Sequence, residues 1–107
     1  MLPKNNRAST GEIDTIFKKG FSLNSTHLNF RYFKNDNKKT KISFIAPKNV
    51  AKLAVKRNLL KRRGYLALEA YNKDLPSGIT GAFIFKKYQD DILILKNEVK
   101  DLLNKIN

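Results

Sequence analysis

Residues 52–63, KLAVKRNLLKRR, carry six positive charges and no negative charge. The apolar residues between these charges recur at the spacing of one face of an α-helix. The segment is therefore predicted to be a helix with one face in a core and one cationic face, and not a disordered basic tail. A rigid row of ammonium and guanidinium groups fits a polyphosphate partner, and this pattern indicates nucleic acid.

This basic helix is predicted to span roughly residues 49–72 and to divide by face. Its core stripe is predicted to comprise Leu53, Leu60, Gly64, Ala67 and Tyr71. A second stripe, rotated away from the core, holds Arg57, Asn58, Lys61 and Arg62, with Tyr65 one turn beyond. Arginine offers a planar fork for bidentate contact with phosphate, so the second stripe is the predicted nucleic-acid surface. Gly64, on the core side, predicts a close approach to a sheet.

The rest of the chain alternates apolar segments with polar turns and predicts one domain over residues 1–107, with a mobile basic arm at residues 1–8. The other predicted elements are a helix over 10–19 that stops at Gly20, strands over 21–34 (broken near 24–26), 41–46 and 80–86, and a helix over 90–106. This order predicts an α+β fold, a small central β-sheet packed with three helices that cover one face.

The first long strand offers a second candidate surface. Leu28, Phe30 and Tyr32 alternate with Asn29 and Arg31, so the polar pair lies on the opposite face of the sheet. With Phe17 nearby, this face could form an aromatic and basic groove for single-stranded nucleic acid, where stacking contributes about 1–3 kcal/mol per base. The alternative, that Phe17 is a core residue, stays open at this point.

The overall charge supports a nucleic-acid partner. The chain has 22 Lys and Arg against 9 Asp and Glu, a net charge of +13. The excess is uneven, because residues 31–63 hold twelve basic side chains and a single acid, Asp36, whereas residues 90–107 hold three basic and four acidic side chains. Such a distribution indicates one cationic surface and not a general solubilising charge.

Other classes of function find little support. The chain has no cysteine, and its one histidine, His27, has no predicted catalytic partner. The acids are scattered, so neither catalytic residues nor a metal site on the protein is predicted. No apolar run is long enough to span a bilayer and no signal peptide is recognised, so a cytoplasmic protein without a membrane or protein partner is expected.

Four interpretations can be weighed for a chain with this charge and this helix. A ribosomal or other structural RNA-binding protein would share the charge and the helix. A DNA-binding module would place the helix in a major groove, but it usually needs a dimer interface or a helix-turn-helix partner. A self-sufficient nuclease lacks its carboxylates and histidines here, and a membrane-surface helix would carry bulky apolar residues on a free face.

Two segments resemble a known family. FIAPKNVAK (44–52), followed by KRNLLKRR (56–63), resembles the protein subunit of bacterial ribonuclease P. The resemblance implies a ribosomal protein S5 domain 2-like fold with a left-handed βαβ crossover. It also implies that a partner RNA with bound magnesium ions cleaves one phosphodiester and removes the 5′ leader of precursor tRNA, while the protein binds both RNAs.

The same resemblance assigns residues by position. Arg57, Asn58, Lys61 and Arg62, with Lys48 of the preceding turn, match the residues that face the catalytic RNA. A leader-binding cleft between the sheet and the first helix is expected to use Phe17, Asn29, Arg31, Ile13 and Tyr65.

Three of these positions depart from the family pattern. Ile13 and Arg31 stand where aromatic residues are usual, and Tyr65 stands where a further arginine is usual. We expect the leader site to rely more on charge and less on stacking.

Overall fold

The computed structural model describes residues 15–18, 20–35, 40–71 and 78–106. The strands are β1 (Phe21–Asn24), β2 (Leu28–Lys34), β3 (Lys41–Ile45) and β4 (Ile79–Phe85). The helices are α1 (residues 15–18), α2 (Ala54–Glu69) and α3 (Ile92–Asn104). The predicted α+β class and order of elements are confirmed, whereas the arm at residues 1–8 and the first part of the predicted helix 10–19 lie outside the described residues.

The four strands form one mixed sheet in the order β1-β2-β4-β3. Strand β2 pairs antiparallel with both β1 and β4, and β3 pairs parallel with β4. Two parallel neighbours need a crossover, and α2 supplies it between β3 and β4. The left hand of this crossover stays a prediction from the resemblance.

The main core lies between one face of the sheet and the two longer helices. Leu28, Phe30 and Tyr32 face this core as their alternation predicts, and the rings of Phe30 and Phe83 stack across β2 and β4 at 4.3 Å. Helix α2 supplies Leu60, Ala67 and Leu68 to the same cluster, and α3 supplies Leu95, Val99, Leu102 and Leu103. Burial of this apolar surface is the main stabilisation of the domain.

Helix α2 begins later than predicted, at Ala54. The chain turns first at Pro47, whose carbonyl oxygen accepts hydrogen bonds from the N–H groups of Val50 and Ala51 at 3.1 and 3.2 Å. Leu53 therefore takes the N-cap position and is 63% exposed. The prediction that Leu53 lies in the core stripe is wrong. The turn occupies the residues before Ala54, so the helical spacing assumed from the sequence does not extend back to Leu53.

The inner face of α2 packs closely on β3. A Cβ atom at Gly64 would lie 2.6 Å from Cε1 of Phe44, so only glycine permits this approach, as predicted. Tyr65 follows on the same face and is 5% exposed, with its ring 5.0 Å from that of Phe44. Its hydroxyl accepts a hydrogen bond from the N–H of Phe44 at 3.2 Å, on the edge strand of the sheet. The prediction that Tyr65 belongs to the outward stripe is therefore wrong.

Helix α1 lies against the opposite face of the sheet. Arg31 projects from that face, and its guanidinium carbon is 5.3 Å from the centroid of the Phe17 ring in α1. Ile16 and Ala82 are also fully buried but lie outside the main core cluster. The prediction that all helices cover one face is thus wrong, because Phe17 of α1 meets Arg31 on the face opposite to Leu28, Phe30 and Tyr32.

Helix α3 begins with an aspartate cap. The side chain of Asp91 accepts hydrogen bonds from the N–H groups of Leu93 and Ile94 at 2.9 and 3.3 Å. Such a cap satisfies amides that a helix start leaves unpaired. Within the described part of the chain, no helix is long and apolar enough to cross a membrane.

Candidate nucleic-acid interface

The first candidate surface is the cationic stripe, defined as Arg57, Asn58, Lys61 and Arg62 on the first half of α2. Asn58 and Arg62 are exposed, and Arg57 and Lys61 are half-buried along the border with the core. No acidic residue occurs in the sequence between Asp36 and Glu69. The positive charge of the stripe is therefore not offset by neighbours along the chain.

Arg57 is anchored to the turn that precedes its helix. Its Nη1 donates hydrogen bonds to the carbonyl oxygens of Ala51 and Lys52, at 3.0 and 2.7 Å. These bonds join the guanidinium to the chain just before the helix, where α2 has no side-chain N-cap. Lys48 is exposed in the same turn. The structure thus brings Lys48 and Arg57 to the same end of α2.

The second candidate surface is the open face, which we define as the side of β1 and β2 that faces α1. Phe17 is 46% exposed, which settles the question left by the sequence: this ring is not a core residue. The guanidinium of Arg31 lies over it at 5.3 Å, a distance suited to a cation–π contact. The aromatic and basic pair that the alternation predicts is therefore formed.

Asn29 lies beside Arg31 on the same face and is bonded to both strands. Its Oδ1 accepts a hydrogen bond from Nε of Arg31 at 3.1 Å. Its Nδ2 lies 2.8 Å from Oγ of Ser22, 3.1 Å from the carbonyl oxygen of Leu23 and 2.9 Å from Oδ1 of Asn24. Sequence reasoning missed Ser22 and Asn24, because only the strand register places them opposite Arg31 and Asn29.

The other two residues assigned to this cleft are not brought to it. Tyr65 lies in the core on the α2 side of the sheet, so its ring has no face on which a base could stack there. The expectation that Tyr65 belongs to the leader cleft is therefore wrong, because its ring is buried. Ile13 lies outside the described residues.

A third polar cluster fastens the β1–β2 turn to α3, and sequence reasoning missed it. Oε1 of Glu98 accepts hydrogen bonds from Oγ of Ser25 at 2.5 Å and from the backbone N–H of His27 at 2.7 Å, and Oε2 lies 2.7 Å from Nδ1 of His27. Burial alone would raise the pKa of Glu98, but these hydrogen bonds outweigh it and hold the pKa below its ordinary value. The sequence feature that could have revealed this cluster is the position of Glu98 on the apolar face of the last helix.

Potential metal ligands are not clustered. Among the residues that the structure describes, no group of three or more His, Cys, Asp or Glu side chains is placed to hold a metal ion. The two surfaces present guanidinium, ammonium, amide and aromatic groups, which are suited to recognition of phosphate and of bases.

Comparison with known proteins gives one family. The family model described as Ribonuclease P matches residues 2–107. The RNase P protein from Thermotoga maritima matches in structure with a TM-score of 0.84 and 21% identity, covering 94% of this chain and 97% of that chain. The Staphylococcus aureus RNase P protein matches with a TM-score of 0.75 and 17% identity, covering 92% and 91%. These structures share the fold, and no curated protein gives a significant match.

Proposed function

The chain belongs to the ribonuclease P family, and on that premise we propose that it is the protein subunit of a ribonucleoprotein endoribonuclease that matures the 5′ end of tRNA. Membership of the family implies a partnership with ribonuclease P RNA and a place in that enzyme complex. Our proposal adds that this chain binds both the catalytic RNA and the 5′ leader of precursor tRNA in the cytoplasm.

The observation that carries the proposal is the cationic stripe of α2. It presents Arg57, Asn58, Lys61 and Arg62 within two turns of one helix, with no acid between Asp36 and Glu69 to offset the charge. Phosphate contacts by such residues release counterions, which favours RNA binding and makes it dependent on salt. We assign the stripe, with Lys48, to the catalytic RNA.

The open face is assigned to the leader. It supplies a half-exposed ring, Phe17, and a guanidinium, Arg31, on the side of the sheet opposite the two long helices. Single-stranded RNA is recognised by this combination of aromatic and basic groups. A leader bound on the open face and a catalytic RNA bound on α2 would not compete for the same side chains.

Chemistry at the scissile bond is assigned to the RNA and to magnesium ions that the RNA binds. In this account the protein's side chains bind and orient the two RNAs, and none of them takes part in proton transfer or metal ligation. The contribution to rate is then one of positioning, since a correctly held substrate removes part of the entropy cost of reaching the transition state.

Reconstitution tests the proposal. The chain is mixed with ribonuclease P RNA and precursor tRNA at a low magnesium concentration, at which the RNA alone cleaves slowly. We expect the chain to increase the rate of leader removal at the correct phosphodiester. Tight binding to the RNA without any increase in cleavage would instead favour a structural RNA-binding protein, the alternative that the sequence leaves open.

A further inference from the structure

We propose that Asn29 does not contact RNA but positions Arg31, and that the positioned guanidinium binds one phosphate of the precursor tRNA leader. This inference rests on the proposed function and adds the ligand chemistry of the open face. It replaces the expectation, drawn from the sequence, that Asn29 is itself a leader-binding residue.

The amide of Asn29 is occupied at both ends. Its Nδ2 has acceptors on β1 at 2.8–3.1 Å, one of them the carbonyl oxygen of Leu23, and its Oδ1 accepts from Nε of Arg31. Exchanging the amide oxygen and nitrogen would set two acceptors against each other at Leu23 and two donors against each other at Arg31. One orientation alone satisfies both strands, and in it the N–H groups of Asn29 are directed to β1 and its Oδ1 to Arg31, so the amide is engaged within the protein.

Arg31 is held on two sides by groups that leave its outer edge for a ligand. Oδ1 of Asn29 accepts a hydrogen bond from the Nε–H, and the guanidinium carbon lies over the Phe17 ring, 5.3 Å from its centroid. The residue opposite Arg31 on β4 is Ala82, whose small side chain does not compete for the space. Within the described residues, these contacts leave the two terminal NH₂ groups, the pair that forms a bidentate fork with a phosphate.

The charge of the face favours an anion. None of the four strands contains Asp or Glu, so the positive charge of Arg31 meets no carboxylate within the sheet. A base stacked on the face of the Phe17 ring that Arg31 covers would have to displace the guanidinium. The phosphodiester is therefore the part of a single strand that this arrangement fits.

A positioning role has a measurable consequence. Arg31 in an Asn29→Ala variant keeps its charge but must be ordered when the leader binds, and immobilising such a side chain is expected to weaken binding roughly 2- to 10-fold. Removing the charge itself, in Arg31→Met, is expected to weaken binding about 10-fold, and the long side chain of Met can still cover Phe17.

The test is a double-mutant cycle in the reconstituted complex of the chain with ribonuclease P RNA. Affinity is measured for precursor tRNA with a long leader and with a leader of a single nucleotide, for the wild type, Asn29→Ala, Arg31→Met and the double variant. We expect Asn29→Ala to weaken only the long-leader substrate, and to have no effect once Arg31 is Met.

Two results would overturn the inference: an equal loss from Asn29→Ala in both backgrounds, which would indicate a direct contact of Asn29 with RNA, or no loss in either. Asn97→Ala, an exposed asparagine on α3, is the matched control, and thermal unfolding shows that each variant is folded. Cleavage of the single-nucleotide-leader substrate reports on the proposed function separately, because it is stimulated by the wild type whether or not Arg31 binds the leader.

Discussion

The two candidate surfaces use the same guanidinium chemistry but support it differently. On α2, several cations stand one turn apart on a single helix, and Arg57 is tied to the backbone by hydrogen bonds to two carbonyl oxygens. On the open face, Arg31 of β2 is held by an aromatic ring and by an amide that is itself fixed to a neighbouring strand.

The difference suggests two ways of binding an RNA backbone. A helix with several cations gains affinity from the number of phosphates it neutralises and tolerates small changes in geometry. A single ordered guanidinium gains from pre-organisation, since little side-chain entropy is lost on binding. The first suits a large folded RNA, and the second suits a short flexible strand.

The largest expected effect comes from removing two charges of the cationic stripe. Hydrogen bonds to charged groups contribute about 1.5–3 kcal/mol each, so Arg57→Ala with Arg62→Ala is expected to weaken binding of ribonuclease P RNA roughly 100-fold or more. The salt dependence of binding, measured over a series of salt concentrations, should fall by about one unit for each arginine. Lys100→Ala on α3 is the control for loss of charge alone. Wild-type affinity and cleavage rate in the double variant would show that the helix assignment is wrong.

Removing the carboxylate of Glu98 should lower the stability of the protein and affect RNA binding at the open face, but not at the cationic stripe. The carboxylate fixes the turn that joins β1 to β2, and Glu98→Ala removes an acceptor of two partly buried donors, Oγ of Ser25 and the backbone N–H of His27. We expect this loss to cost about 2 kcal/mol of unfolding free energy at neutral pH. Leader affinity should fall with it, since β1 carries the acceptors of Asn29, whereas binding of the catalytic RNA should not.

The pH dependence of that loss has a defined sign. Because the pKa of Glu98 is lowered in the folded protein, its contribution is complete above the ordinary pKa of a glutamate and is lost as the pH falls through the folded value. Denaturant unfolding of the wild type and Glu98→Ala should therefore converge as the solution becomes acidic. The matched control Asp101→Asn, on the exposed side of α3, should not reproduce this convergence.

Substitution of Gly64 tests how closely α2, which carries the cationic stripe, packs on β3, and it leaves the charge of the stripe unchanged. An added methyl group improves helix propensity by about 1 kcal/mol but must displace the buried ring of Phe44. Overpacking typically costs about 1–3 kcal/mol, so we expect Gly64→Ala to be destabilising by about 1 kcal/mol in net terms. Chemical denaturation measures this directly, and a more stable variant would mean that the contact between α2 and β3 is looser than the structure indicates.

The smallest expected effect concerns the salt dependence of leader binding. A site that depends on Arg31 should lose about 0.7 units of slope when the charge is removed in Arg31→Met, the amount expected for one phosphate of a single strand. The wild type should also show a steeper slope than a relative with aromatic residues in the cleft. Equal slopes under matched conditions would contradict the expectation that this cleft relies more on charge than on stacking.

The sequence predicts the cationic stripe well because every member lies on one helix. The spacing of Arg57, Asn58, Lys61 and Arg62 fixes their relative directions without knowledge of any other element. It places Tyr65 wrongly for a related reason. A side chain at the border of the core can point into the core or towards solvent. Tyr65 points into the core, where its hydroxyl accepts a hydrogen bond from the backbone N–H of Phe44 on the edge strand.

The contacts between strands on the open face could not be predicted from the sequence pattern alone. Alternation along β2 predicts that Asn29 and Arg31 share a face, but the pairing of Ser22 with Arg31 and of Asn24 with Asn29 depends on the register of β1. The contact between Ser25, His27 and Glu98 depends on packing between a turn and a helix 71 or more residues later. Both sets of contacts are made by long-range geometry, and for that reason the sequence pattern alone does not predict them.

The central claim is that the two surfaces bind different RNAs, and crossing one variant from each tests it most directly. In the reconstituted complex, affinity for ribonuclease P RNA and affinity for long-leader precursor tRNA are measured for Arg62→Ala and for Arg31→Met. We expect Arg62→Ala to weaken assembly and leave the leader's contribution unchanged, and Arg31→Met to do the reverse. If both variants weaken both interactions to the same extent, the two surfaces form one RNA-binding site and the division proposed here is wrong.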